Sequence, residues 1–174
     1  MTQDEIVEAI DRQRFSIERS MRYHEHRMFF WECVAFWAKL LEFATTSTAF
    51  AFLFRGQNEC FLKWVVLFAA ILSFLVIILD AYKRIKHNTR QRSRLGELAI
   101  RIPLNLSTVT EAQMEEIYAV RKRIELDDGI VLACLNAICH NEQCAAEGKL
   151  DESVRISFWE KHIGKYFPIP YRPK

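Results

Sequence analysis

Hydrophobic positions follow two patterns along this chain. Between about Phe29 and Tyr82 they are nearly continuous; on either side they recur at helical spacing among charges. From Trp64 to Leu79 the chain reads WVVLFAAILSFLVIIL, with Ser73 its only polar residue. Together with residues 60–63 and 80–82, this stretch reaches the roughly 20 residues needed to cross a hydrocarbon core of about 30 Å. Trp64 and Tyr82 stand where interfacial aromatic belts are expected, and Lys63 can snorkel to the interface. An earlier apolar stretch, residues 29–54, is bulky and aromatic but holds Glu32, Lys39 and Glu42. Between the two lies Arg55-Gly56-Gln57-Asn58-Glu59, whose Gly56 and Asn58 form turns. So short a connection makes the two helices antiparallel neighbours. The pattern predicts an all-α integral membrane protein. A charged N-terminal helix (1–28) precedes a two-helix transmembrane hairpin (29–82, with spans at about 29–54 and 60–82). A cytosolic helical region (83–174) follows.

In the N-terminal helix, Ile6, Ile10, Ile17 and Met21 recur at helical spacing, with Gln13 and His24 interrupting the seam. Beyond Tyr82 the basic run KRIKHNTRQRSR continues as helix until about Arg101, where Pro103 ends it. Thr110 and Gln113 fit a capping box. Glu111, Glu115 and Glu116 come early in that helix and Arg121, Lys122 and Arg123 late, as the helix dipole favours. Asp127-Asp128-Gly129 marks a break. A further helix is expected from about Ile130 to Glu147, stopped by Gly148, and a last one from Glu152 to Tyr166 with Asp151 as N-cap. Pro168, Pro170 and Pro173 make the tail extended. No strand pattern, repeat or low-complexity tract is present.

The formal charge of +2 is too small to argue for nucleic acid; its distribution says more. The acidic start, Met1-Thr2-Gln3-Asp4-Glu5, is not a signal peptide. Arg12, Arg14, Arg19, Arg22 and Arg27 precede the first span. Lys83, Arg84, Lys86, Arg90, Arg92 and Arg94 follow the second, and the loop has only Arg55. The positive-inside rule then places both termini in the cytoplasm. Lys83, Arg84, Lys86 and Arg90 serve as an anchor or as a site for anionic lipid head groups.

Charge inside the first span is the most functional-looking feature. Glu32, Lys39 and Thr46 fall nearly on one line of a helix, with Glu42 and small residues such as Ala35 and Ala38 on the adjoining arc. A charge at mid-bilayer costs about 2.5–3.5 kcal/mol on insertion scales, so lipid exposure of Lys39 and Glu42 is disfavoured. Two readings follow. The pair neutralises itself at a packed helix interface, or the polar face lines a water path, which requires a homo-oligomer.

The remaining candidate chemistry is sparse. His24-Glu25-His26 places its histidines at i, i+2, pointing apart on a helix. Cys134, Cys139 and Cys144 surround His140 in C-x4-C-H-x3-C, which is not a zinc pattern. Residues five apart on a helix diverge by about 140°, so buried free thiols are expected and no metal. His140-Asn141-Glu142 with Glu125, Asp127 and Asp128 could supply a general base and an orienter. Adjacent helical residues do not face each other, however, and no hydrolase, zincin or phosphate-loop motif is present. Salt bridges joining Arg121 or Arg123 to Glu125, Asp128 or Glu142 are the structural alternative. No enzyme activity and no cofactor are expected.

The basic-flanked hairpin, the charged helix before it, the helical tail, and the segments RKRIELDD and CHNE resemble bacterial two-transmembrane antiphage effectors. These include the SLATT-type effector domains associated with nucleotide-signalling immunity and the two-transmembrane effectors of some retrons. The resemblance implies a multi-pass protein of the bacterial inner membrane that oligomerises and forms a pore or disrupts the bilayer in abortive infection. Its cytosolic region would meet a signalling or inhibitory partner: a protein, a nucleotide or a nucleic-acid complex. The alternative is a non-toxic anchor or regulatory subunit that recruits a cytosolic partner.

Overall fold

No Gly or Pro interrupts the chain from Gln3 to Arg55, and in a computed structural model this stretch is one unbroken helix, α1 (Gln3–Arg55). The structure describes residues 2–55, 64, 67–68, 71, 80–103, 109–129 and 131–168, and no strand occurs among them. Further α-helices among the described residues are α2 (Ala81–Arg101), α3 (Glu111–Leu126) and α4 (Ala133–Ala146). A 3₁₀ turn covers Leu150–Glu152 and a π-type turn covers Glu160–Gly164.

Local chemistry accounts for the helix ends. At the start of α3 the Thr110 hydroxyl accepts from the Gln113 amide while the Gln113 side chain accepts from the Thr110 amide at 3.0 Å, the expected capping box. At the end of α4, Gly148 takes φ 72°, a conformation that favours glycine. There the Lys149 amide reaches the Cys144 carbonyl at 2.8 Å and the Gly148 amide reaches Ala145, which closes a Schellman motif.

The last expected helix, 152–166, does not form as one. Residues 153–157 are not helical. Asn141 of α4 pairs with the backbone of Val154 in both directions, donating to its carbonyl at 2.7 Å and accepting from its amide at 2.8 Å. These bonds replace the helical ones that Val154 would otherwise make. Asp151 therefore lies inside the 3₁₀ turn rather than capping a helix. Gly164 permits the following turn to approach closely, since a Cβ there would lie 2.6 Å from Cys134 Sγ.

The chain divides into two compact units: residues 1–26 with 88–174, and residues 27–87. The first has an aliphatic core. Ile6, Ile10 and Ile17 of α1 pack with Leu95 and Leu98 of α2, Ile102, Val109, and Ile117 and Ile124 of α3. Leu132, Leu135 and Cys139 form a second cluster with Tyr23 against it. Among the described residues of the second unit, Trp31, Ala35 and Ala81 pack together, flanked by Phe30, Val34 and Ile85.

The expected transmembrane hairpin is not borne out. Among the described residues no helix is long and apolar enough to cross a membrane. The fold is therefore described as all-helical, not as an integral membrane hairpin, and the placement as a multi-pass inner-membrane protein with both termini cytoplasmic falls with it. At 53 residues, or about 80 Å at 1.5 Å per residue, α1 has ample length. It lacks uniform apolarity: Glu32, Lys39 and Glu42, then Thr45-Thr46-Ser47-Thr48, dilute residues 29–54. The second expected span, 60–82, lies largely outside the described residues.

Candidate functional site

In the 27–87 unit, α1 has two contrasting faces. Trp31 and Ala35 are buried, whereas Phe29, Phe36 and Phe43 are 64%, 61% and 70% exposed and Leu40 43%. These four exposed residues fall within about 60° on a helical wheel, with Trp37 beside them. A second exposed apolar set, Trp64, Leu67, Phe68 and Ile71, has i, i+3, i+4, i+7 spacing and is helical at each position. Contiguous exposed apolar surface of this kind marks a place that meets a protein partner or lipid.

Basic residues of the same unit accompany it. Lys83, Arg84 and Lys86 are exposed at the start of α2, and Lys83 pairs with Asp80 at 2.6 Å. The Arg84 guanidinium lies 4.8 Å from the centre of the Trp31 ring, and Arg27 lies 5.6 Å from it, cation–π contacts that fix the ring. Arg90, the fourth expected head-group residue, is exposed on α2 in the other unit.

Of the expected polar face, Glu32, Lys39 and Glu42 are all exposed. Lys39 turns to Tyr82, its ammonium 5.4 Å from the ring centre. The Tyr82 hydrogen bond and charge, with a smaller contribution from Glu42, hold the Lys39 ammonium above the ordinary lysine range. The Thr46 side chain lies outside the described residues.

The expected cytosolic cluster is not one site; its members serve separate contacts of the other unit. Arg121 joins Glu125 at 2.6 Å and donates to Gln13 at 2.7 Å, and Lys122 reaches Glu125 at 3.2 Å. Burial pushes the Glu125 carboxyl up, but the hydrogen bonds and charges of Arg121 and Lys122 outweigh it and leave the group below the usual carboxylate range. Asp128 meets His24 Nε2 at 3.3 Å and receives a hydrogen bond from Gln91 at 3.2 Å. His140 faces the Glu152 carbonyl at 3.1 Å, and Glu142 pairs with His26 at 2.9 Å. Arg123 is exposed and lines an open groove of about 250 Å³ with Arg94, Glu97, Leu98, Arg101, Val120 and Ile124. Arg94 pairs with Asp127.

Sequence reasoning missed the polar residues that join these helices. His24 is buried, with Nδ1 3.1 Å from the side-chain Oδ1 of Asn88. Gln143 is fully buried, donates to Glu18 at 2.6 Å and Glu147 at 2.9 Å, and accepts from Arg22 at 2.9 Å. Their only trace in the sequence is the interrupted seam at Gln13 and His24. Hydrogen bonds satisfy these buried groups, which accounts for their placement without a ligand. No family model, curated protein or solved structure matches the chain.

Proposed function

We propose that the protein is a non-catalytic effector that acts on an anionic lipid bilayer as an oligomer. The apolar face of its 27–87 unit engages the bilayer, and abortive infection is the setting in which such disruption would be useful. One observation carries the reading: α1 exposes Phe29, Phe36, Leu40 and Phe43 in one stripe while its other face is packed. An aromatic face beside basic residues is the composition of an interfacial helix, in which apolar burial and attraction to anionic lipid add. Lys83, Arg84 and Lys86 supply that charge, each contributing about 1 kcal/mol near an anionic surface. The reading needs no spanning helix.

The test is sedimentation with vesicles of phosphatidylcholine alone and of phosphatidylcholine mixed with phosphatidylglycerol, together with release of a trapped dye. The wild type is expected to bind and permeabilise the mixed vesicles more strongly. Phe36→Asp with Phe43→Asp should abolish both effects while helicity is kept. Equal binding by the double variant, or no binding by the wild type, would end the proposal. Expression in a bacterium separates an effector from an inert anchor: the first dissipates the membrane potential, the second accumulates harmlessly.

A second reading follows from the groove. Arg94, Arg101 and Arg123 beside apolar Leu98, Val120 and Ile124 suit an acidic regulatory partner. Arg101→Glu with Arg123→Glu should abolish capture of such a partner and leave vesicle binding unchanged.

A further inference from the structure

His26 is far in sequence from Cys139 and Glu142, yet folding brings one ligating atom from each of the three within 4.8 Å of the others. Cys139 and Glu142 stand at i, i+3 on α4, so they share a face. His26 comes from α1, with Nε2 2.9 and 3.1 Å from the two Glu142 oxygens. We propose that these three residues bind a zinc ion, with a fourth coordination position left open.

The donor set suits that metal. Zinc takes imidazole nitrogen, thiolate sulfur and carboxylate oxygen at about 2.0–2.3 Å, and three protein ligands with an open position is an established arrangement. Tetrahedral geometry at those lengths places the ligand atoms about 3.3–3.7 Å apart. Modest rotamer changes therefore suffice. Neutral imidazole, thiolate and carboxylate balance the dication, which matters beside a cysteine that is wholly buried.

Burial foremost, then the Glu142 charge, pushes the Cys139 thiol up to about 12, against the smaller pull of Arg19 and Arg22. On binding, the S–H bond breaks, a sulfur–zinc bond forms, and the proton passes to solvent. The ion then links α1 to α4.

The test uses the full-length chain, stripped of metal by a chelator and titrated with Co²⁺ alone. One equivalent should produce a thiolate-to-cobalt charge-transfer band and the visible bands of a tetrahedral ion, and one equivalent of Zn²⁺ should erase both. His26→Gln and Glu142→Gln alter partly exposed side chains, and each should weaken Co²⁺ affinity at least about tenfold. Cys139→Ser should remove the charge-transfer band, whereas Cys134→Ser and Cys144→Ser leave it. Absence of the band in the wild type would refute the site, as would unchanged affinity in both glutamine variants. Those two decide the matter even if Cys139→Ser fails to fold.

Discussion

Among the described residues, the two units pack different kinds of side chain. The unit formed by residues 1–26 and 88–174 has an aliphatic core in which Ile10 and Ile17 have no exposed surface and Leu95 almost none, although Ile100, Leu126, Phe158 and Trp159 lie outside it. Its buried His24, Gln91 and Gln143 are each hydrogen-bonded. The 27–87 unit buries Trp31, Ala35 and Ala81 and leaves large aromatics outside. Burial of apolar area is the main favourable term in folding. The first unit thus uses its buried aliphatic residues for its own stability. The exposed aromatics of the second are the ones that the proposed bilayer contact would use.

Substitutions should separate these uses. The largest effect is expected in the first unit. Ile17→Ala deletes fully buried methyl and methylene groups and should cost about 2–5 kcal/mol, read from chemical denaturation. Vesicle binding at a temperature where the variant stays folded should not change. A destabilisation below about 1 kcal/mol would show that this core is not packed as described.

Gln143→Leu should cost less, about 1–3 kcal/mol, because it leaves the buried side of the Arg22 guanidinium without this acceptor and the Glu18 carboxylate with Arg14 but without this donor. Denaturation of the variant alongside the Glu18→Gln, Gln143→Leu double variant separates the lost hydrogen bond from the stranded charge.

Glu125→Gln should have a smaller effect, at most about 1 kcal/mol, since its partners remain partly in water. Its sign depends on pH. A carboxyl held below its ordinary value adds stability above the unfolded-state pKa of about 4.3, and that contribution is lost as pH falls through the lower folded value. The gap between wild type and Glu125→Gln should therefore be widest near neutrality and close in acid. A gap that widened below pH 4 would contradict the Arg121–Glu125 pairing.

The smallest effect on folding is expected from Phe43→Ser on the exposed stripe, within about 0.5 kcal/mol. The same change should weaken binding to mixed-lipid vesicles. A large loss of stability with intact binding would reverse the comparison between the units.

Much of the helical framework was legible in the sequence. Thr110 with Gln113 marked the start of α3, Gly148 the end of α4, and the spacing of Ile6, Ile10 and Ile17 the buried face of α1. Such features depend on residues within a few positions of one another, where backbone geometry and side-chain reach decide the outcome. The first expected span misled because Glu32, Lys39, Glu42 and the polar run from Thr45 to Thr48 interrupt its apolar length, and the second lies largely outside the described residues. The helix expected after Asp151 misled because Asn141, in another element, takes the Val154 backbone.

By itself, then, the sequence determined an all-helical chain, most of its caps, the aromatic character of residues 29–43 and the basic run after Tyr82. Tertiary structure alone decided which polar residues meet. Nothing in the neighbourhood of His26 announces Cys139 and Glu142, and nothing near Gln13 announces Arg121. Periodicity tells which way a side chain points from its own helix, because that direction follows from local backbone geometry. The residue opposite depends on how helices distant in sequence are placed, and that is set by the packing of the whole core.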